Sequence, residues 1–245
     1  MSDLHFRKDP IVEAIINLEV PQWAVSMDQL QAIQPAVSKS YPVRTPVLVF
    51  KTEIKPGAEL PEAFTTQEQI GWQYRSADER HVVQTRTTGF SFHRLAPYDR
   101  WTTFKSEAMA IWRIYKRLTG DPAVESYTLR YINRFAVPQG ESMDRYFNVY
   151  PEVKGSLPQI ANSFMLRLEL PIADAPPGSL LVMHQSLLPA SEAGRVHVLL
   201  DNEFRFPAPA AASEEELWEL LETARRIKNK TFKDCITPAM EEITS

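Results

Sequence analysis

The 245-residue chain has one cysteine, Cys235, and eight glycines. A single thiol excludes an intramolecular disulfide and a thiolate cluster for zinc, and it fits a reducing, cytoplasmic setting. The glycines form neither G-x-G-x-x-G nor G-x-x-x-x-G-K-[ST], so a classical Rossmann or P-loop nucleotide site is excluded. No G-x-S-x-G nucleophile elbow occurs. The five histidines, His5, His81, His93, His184 and His197, show no metal-ligand spacing. His184 and His197 could meet across a hairpin, but with no acid in register, so no metal and no cofactor is expected. Apolar runs such as Ser179–Met183 are strand-sized, far short of the roughly 20 residues that cross a bilayer. The first ten residues lack the apolar core of a secretory signal, so no membrane contact is expected.

What is present is an ordinary globular mixture, 44% hydrophobic and 24% charged, long enough to bury its own core without staples. The net charge of −4 argues against a dedicated nucleic-acid binder. It is unevenly spread, because Arg75 to Arg134 holds eleven basic against six acidic residues, a local +5 that leaves −9 elsewhere. Acidic ends can pair with this basic middle inside one fold, or the middle can offer a surface to an anionic partner.

Periodicity orders the chain. Ile11 to Val20 alternates as a strand, and Ser26 caps a helix from Met27 to about Ser40 that Pro35 should kink or break. A strand from Val47 to Ile54 and a loop from Lys55 to Gln67 follow. Three antiparallel strands come next (Ile70–Arg75, His81–Arg86, Phe90–Leu95), and Asp99 caps an amphipathic helix from Arg100 to Leu118 that Gly120 ends. The second half repeats the order: a strand (Tyr127–Val137), a weakly helical stretch near Met143–Val149, strands at Phe164–Leu170, Leu180–Leu188 and Arg195–Phe204, and a long helix. That helix opens with the capping box Ser213/Glu216, and Pro238 starts a last short one. The expected fold class is α+β: antiparallel sheets with long packed helices, in pseudo-duplicated strand-helix-strands-helix halves shaped like a TATA-binding-protein or helix-grip saddle. The halves are 1–122 and 123–245 of one compact unit.

Leu129-Arg-Tyr-Ile-Asn-Arg-Phe135 carries the sharpest site signal. Alternation sends Tyr127, Leu129, Tyr131 and Phe135 to one face and Arg130 and Arg134 to the other, where a half-buried guanidinium requires an oxygen partner. Glu13, Asn17 and Glu19 on the first strand, and Arg167 with Glu169 near the end, alternate in the same way. These groups either form cross-strand structural pairs or line a cavity for a phosphate or carboxylate. The early strand lacks the paired glutamates and lysine of triphosphate-tunnel enzymes. His93 and Arg94 are further candidates, placed on opposite faces of their strand. Trp72, Tyr74, Phe90 and Phe92 beside Arg75 and Arg94 read as core before they read as a stacking platform.

Three segments together resemble a known family: Asp9-Pro-Ile-Val-Glu-Ala14, Gly89-Phe-Ser-Phe-His-Arg-Leu-Ala-Pro-Tyr98 with Trp101, and Leu129-Arg-Tyr-Ile-Asn-Arg134. With Lys228-Asn-Lys-Thr-Phe-Lys-Asp-Cys-Ile-Thr237, they are similar to a sporadically distributed family of uncharacterised bacterial and archaeal proteins of about this length. The resemblance implies a bacterial or archaeal protein of patchy, mobile-gene distribution, and it transfers no catalytic residue. The function expected is therefore a non-catalytic binding or assembly module for a small anionic ligand or a protein partner, with homo-oligomerisation open. Arg130, Arg134 and Arg167 would hold the anion, and Glu13, His93 and Arg94 would assist. The alternative is a metal-dependent hydrolase or transferase acting on a phosphorylated substrate in the same arginine-lined cavity.

Overall fold

The computed structural model describes residues 10–22, 24–55, 62–158, 161–192, 194–210 and 212–244. Nine strands form one antiparallel sheet: β1 (Ile11–Glu19), β2 (Val43–Lys55), β3 (Glu62–Arg75), β4 (His81–Arg86), β5 (Gly89–Leu95), β6 (Ser126–Pro138), β7 (Met165–Pro171), β8 (Leu180–Glu192) and β9 (Arg195–Pro207). Their spatial order is β2-β3-β4-β5-β1-β6-β9-β8-β7. The helices are α1 (Met27–Gln31), α2 (Gln34–Val37), α3 (Trp101–Thr119), α4 (Glu214–Cys235) and α5 (Pro238–Thr244).

This corrects the expected fold class. There is one continuous sheet where antiparallel sheets with long packed helices, in a TATA-binding-protein-like or helix-grip-like saddle, were expected. Strand outweighs helix, 41% of residues against 28%, so the sheet and not the helices sets the architecture. The reason lies at the centre. β1 pairs with β5 on one side and with β6 on the other, and this shared strand fuses what periodicity alone presents as two sheets.

Local chemistry accounts for the element ends. Pro35 splits the expected first helix into α1 and α2, sitting at the start of α2, where its missing N–H costs least. Capping boxes open α1 (Ser26 with Gln29) and α4 (Ser213 with Glu216). Gly120 takes the left-handed conformation that ends α3. Asp99 does not cap α3; the cap position is Arg100, which makes no side-chain cap bond. The expected Lys55–Gln67 loop is also shorter. β3 begins at Glu62 and pairs with β2 well beyond the reach of β4, and residues 56–61 lie outside the described residues.

All five helices contribute buried side chains to a single apolar cluster on one face of the sheet. Ala14, Ile16 and Leu18 of β1 lie between Phe92 and Phe90 of β5 and Tyr131, Leu129 and Tyr127 of β6. Above them Phe90 meets Trp112 and Tyr115 of α3, and Phe135 meets Phe232 of α4. Each such large side chain stabilises the fold by about 1.5–3 kcal/mol on burial. Tyr74, Phe90 and Phe92 belong to this core, with Trp72 packed against it, so they are not an exposed stacking platform.

Candidate functional site: the helix-free face of the sheet

Side chains of alternate residues on β1 leave the core side, and no described helix covers them. Glu13, Ile15, Asn17 and Glu19 lie beside Leu95, His93, Ser91 and Gly89 of β5 and beside Ile132, Arg130, Thr128 and Ser126 of β6. Ile15, Val82 and Val182 are buried here yet stand apart from the main core. Longer polar side chains shield them from water on this face, as stems of charged residues do over apolar surface.

Polar groups form chains across the strands. His93 Nδ1 meets Glu13 Oε1 at 2.7 Å, and His93 Nε2 meets Ser91 Oγ at 2.8 Å. A carboxylate can only accept, so Nδ1 carries a proton, and in the neutral ring Nε2 then accepts from the serine hydroxyl. The His93 hydrogen bond holds the Glu13 carboxyl below the usual carboxylate range, against the opposing effect of burial; His93, Arg130 and Arg75 add charge attraction. One turn of register away, Arg130 forks onto Asp201 of β9, Nε to Oδ1 at 2.8 Å and Nη2 to Oδ2 at 2.6 Å. Asp201 is 5% exposed, and His184 Nδ1 of β8 lies 3.9 Å from the same Oδ2 that Arg130 Nη2 engages. His184 therefore faces an acid in register, contrary to expectation, while His197 pairs in register with Leu188 and Ala136.

The six candidates from sequence do not gather in one place. Glu13, His93 and Arg130 share the middle of the open face. Arg134 is exposed, four residues further along β6 than Arg130. Arg167 sits on the edge strand β7, paired with Glu169. Register puts it four strands from Glu13, about 19 Å at the usual strand spacing. Arg94 points to the core side, where its charge reaches Tyr41.

Two further arginines complete the picture: Arg86, which sequence reasoning missed, and Arg75, which it weighed only beside the aromatics of a stacking platform. Arg86 of β4 donates to Asn17 Oδ1 at 2.6 Å, Gln84 Oε1 at 3.1 Å and Ser91 Oγ at 3.4 Å, all neutral oxygens. Burial lowers its pKa, with Glu19 and Tyr115 pulling it back. Arg75 of β3 lies half-buried on the same face and makes neither hydrogen bond nor ion pair among the described residues, acting only through its field on Glu13. The available signal was Gly71 inside β3 and Gly89 at the start of β5, on either side of Arg86, since such positions mark close backbone approach.

Three arginines in the second half of the sheet are paired with acids, Arg130 with Asp201, Arg205 with Glu203 and Arg167 with Glu169, while Arg134 and Arg195, without an ion pair among the described residues, are exposed to water. Those of β3 and β4 are half-buried without a paired acid. Among the described residues no three His, Cys, Asp or Glu side chains gather to hold a metal ion. Cys235 is buried at the end of α4, and burial pushes its thiol up to about 11, a packing residue and not a nucleophile. Of the segments that carry the family resemblance, residues 11–14, 89–95 and 129–134 lie on the adjacent central strands β1, β5 and β6. Against models of known protein families the chain has no match, and no curated protein matches it in sequence at a significant level.

Proposed function

We propose that the chain is a non-catalytic binding or assembly module that holds an anionic ligand, or an acidic segment of a partner, on the helix-free face of its sheet. The observation that carries this reading is the uneven pairing of arginines. A half-buried guanidinium without a carboxylate is costly unless an oxygen ligand completes it, and Arg86 and Arg75 occupy that position on one side of the face. Arg130 and Glu13 border the same region, with Arg130 fixed by Asp201 and Glu13 fixed by His93.

Native mass spectrometry of freshly purified protein tests the reading. The expected result is a reproducible excess over the 28.0 kDa chain that disappears in the Arg75→Gln/Arg86→Gln variant. An excess that survives both substitutions, or none at all, counts against it.

The Ser91–His93–Glu13 chain favours a second reading, hydrolysis with Ser91 as nucleophile and His93 as base. Ser91 is only 2% exposed, and its strand amides are committed to the ladder, which leaves no backbone oxyanion hole. Covalent labelling of Ser91 by a fluorophosphonate, lost in His93→Ala, would establish this reading over the first.

A further inference from the structure

Arg86 has a glycine on each side across the ladder, Gly71 on β3 and Gly89 on β5. Neither glycine is replaceable in place. A Cβ on Gly71 would stand 2.1 Å from the Thr85 carbonyl oxygen, and one on Gly89, whose φ is +145°, would stand 2.2 Å from that of Leu18. The guanidinium stem therefore has closely packed backbone, not side chains, on both flanks. Three of the five guanidinium N–H bonds go to Asn17, Gln84 and Ser91. Nε–H and one Nη2–H remain, a pair of donors on one nitrogen fork.

We propose that Arg86 anchors a carboxylate-binding subsite, its remaining N–H pair gripping both oxygens of one carboxylate on the helix-free face. This rests on the anion-binding reading of the face and names its chemistry. A single positive charge whose hydrogen-bond partners are neutral oxygens suits a ligand with one negative charge and no more. The next arginine on this face without an ion pair, Arg75, is one strand over and four residues along, its backbone about 14 Å away by strand geometry, so the subsite is built on the Arg86 fork alone. Glu19, beyond Gly89 and hydrogen-bonded to Asn17 and Ser126 at 3.4 Å, adds a negative field that disfavours a second charge on the ligand. The planar fork matches a carboxylate in two parallel bonds.

The test is a side-chain NMR titration of the arginine Nε–Hε resonances with acetate, inorganic phosphate and chloride at constant ionic strength. Acetate should shift Arg86 saturably and bind about tenfold tighter than phosphate or chloride. The shift should vanish in Arg86→Gln, with an unchanged backbone amide spectrum as the control for folding. If that variant does not fold, Arg86→Lys keeps the charge, loses the fork and should weaken acetate about tenfold. An aspartate-rich peptide binding more tightly than acetate assigns the carboxylate to a partner segment; equal affinity assigns it to a small acid. Either result upholds the subsite. Tighter binding of phosphate, or acetate binding retained in Arg86→Gln, overturns it. Retention there combined with loss in Arg75→Gln leaves the anion-binding face standing without this subsite, and no anion binding by the unaltered protein overturns both.

Discussion

Arginine in a strand carries two meanings, and at the scale of single residues the neighbouring acid decides between them. Arg130 was the strongest candidate in the sequence, and its fork is filled by Asp201, a nearly buried carboxylate 71 residues away. Removing the arginine strands that carboxylate. Arg130→Ala is expected to cost about 2–3 kcal/mol of stability in urea denaturation, because charged hydrogen bonds in partly buried settings are worth about that much. Its effect should fall on stability, with little change in anion binding. Glu13 supplies a pH prediction. Its carboxyl is held below the ordinary value of 4.5, chiefly by the His93 hydrogen bond. A depressed folded-state pKa contributes stability that is full above the unfolded value and is lost as the pH falls through the folded one. The stability gap between the wild-type chain and Glu13→Gln should therefore be widest near neutrality and close below about pH 4.5. A gap that stays constant from pH 7 to 3 would remove Glu13 from the account.

At the scale of elements, the ends followed local rules wherever a local group sufficed. Ser26, Ser213, Gly120 and Pro238 each did what their side chain or backbone freedom dictates. Asp99 failed as a cap because the cap position is Arg100, and the polar segment at 62–67 became strand because β2 lies alongside to pair with it. That second outcome is tertiary: the same residues alone carry weak strand signals. The glycines of β3 and β5 are the element-scale device that brings strands together around Arg86. Gly89→Ala would drive a Cβ into the Leu18 carbonyl and pry β5 from β1. A loss of about 3 kcal/mol or more is expected in thermal or urea melts, and a loss under 1 kcal/mol would mean the strands can shift to admit the methyl.

For the whole molecule, β1 is the decisive element. It pairs with β5 and β6 at once, so its removal would split the sheet through the middle. The stretches 1–122 and 123–245, though alike in element order, should not unfold independently. One transition is expected, with far-UV circular dichroism and tryptophan fluorescence coincident, since Trp101 and Trp112 sit over one half and Trp218 over the other within a shared core. Two resolved transitions would mean the halves are separate units. The sequence by itself determined the position of most strands, the principal helices, the helix-facing side of β1, β5 and β6 and the exclusion of familiar nucleotide and thiolate sites. Those properties follow from period, caps and composition, all local. Tertiary structure alone decided that there is one sheet and which arginines have acids. Glu13 with His93, Asn17 with Arg86 and Arg130 with Asp201 are 80, 69 and 71 residues apart, and strand alternation names a face without naming the neighbour across it.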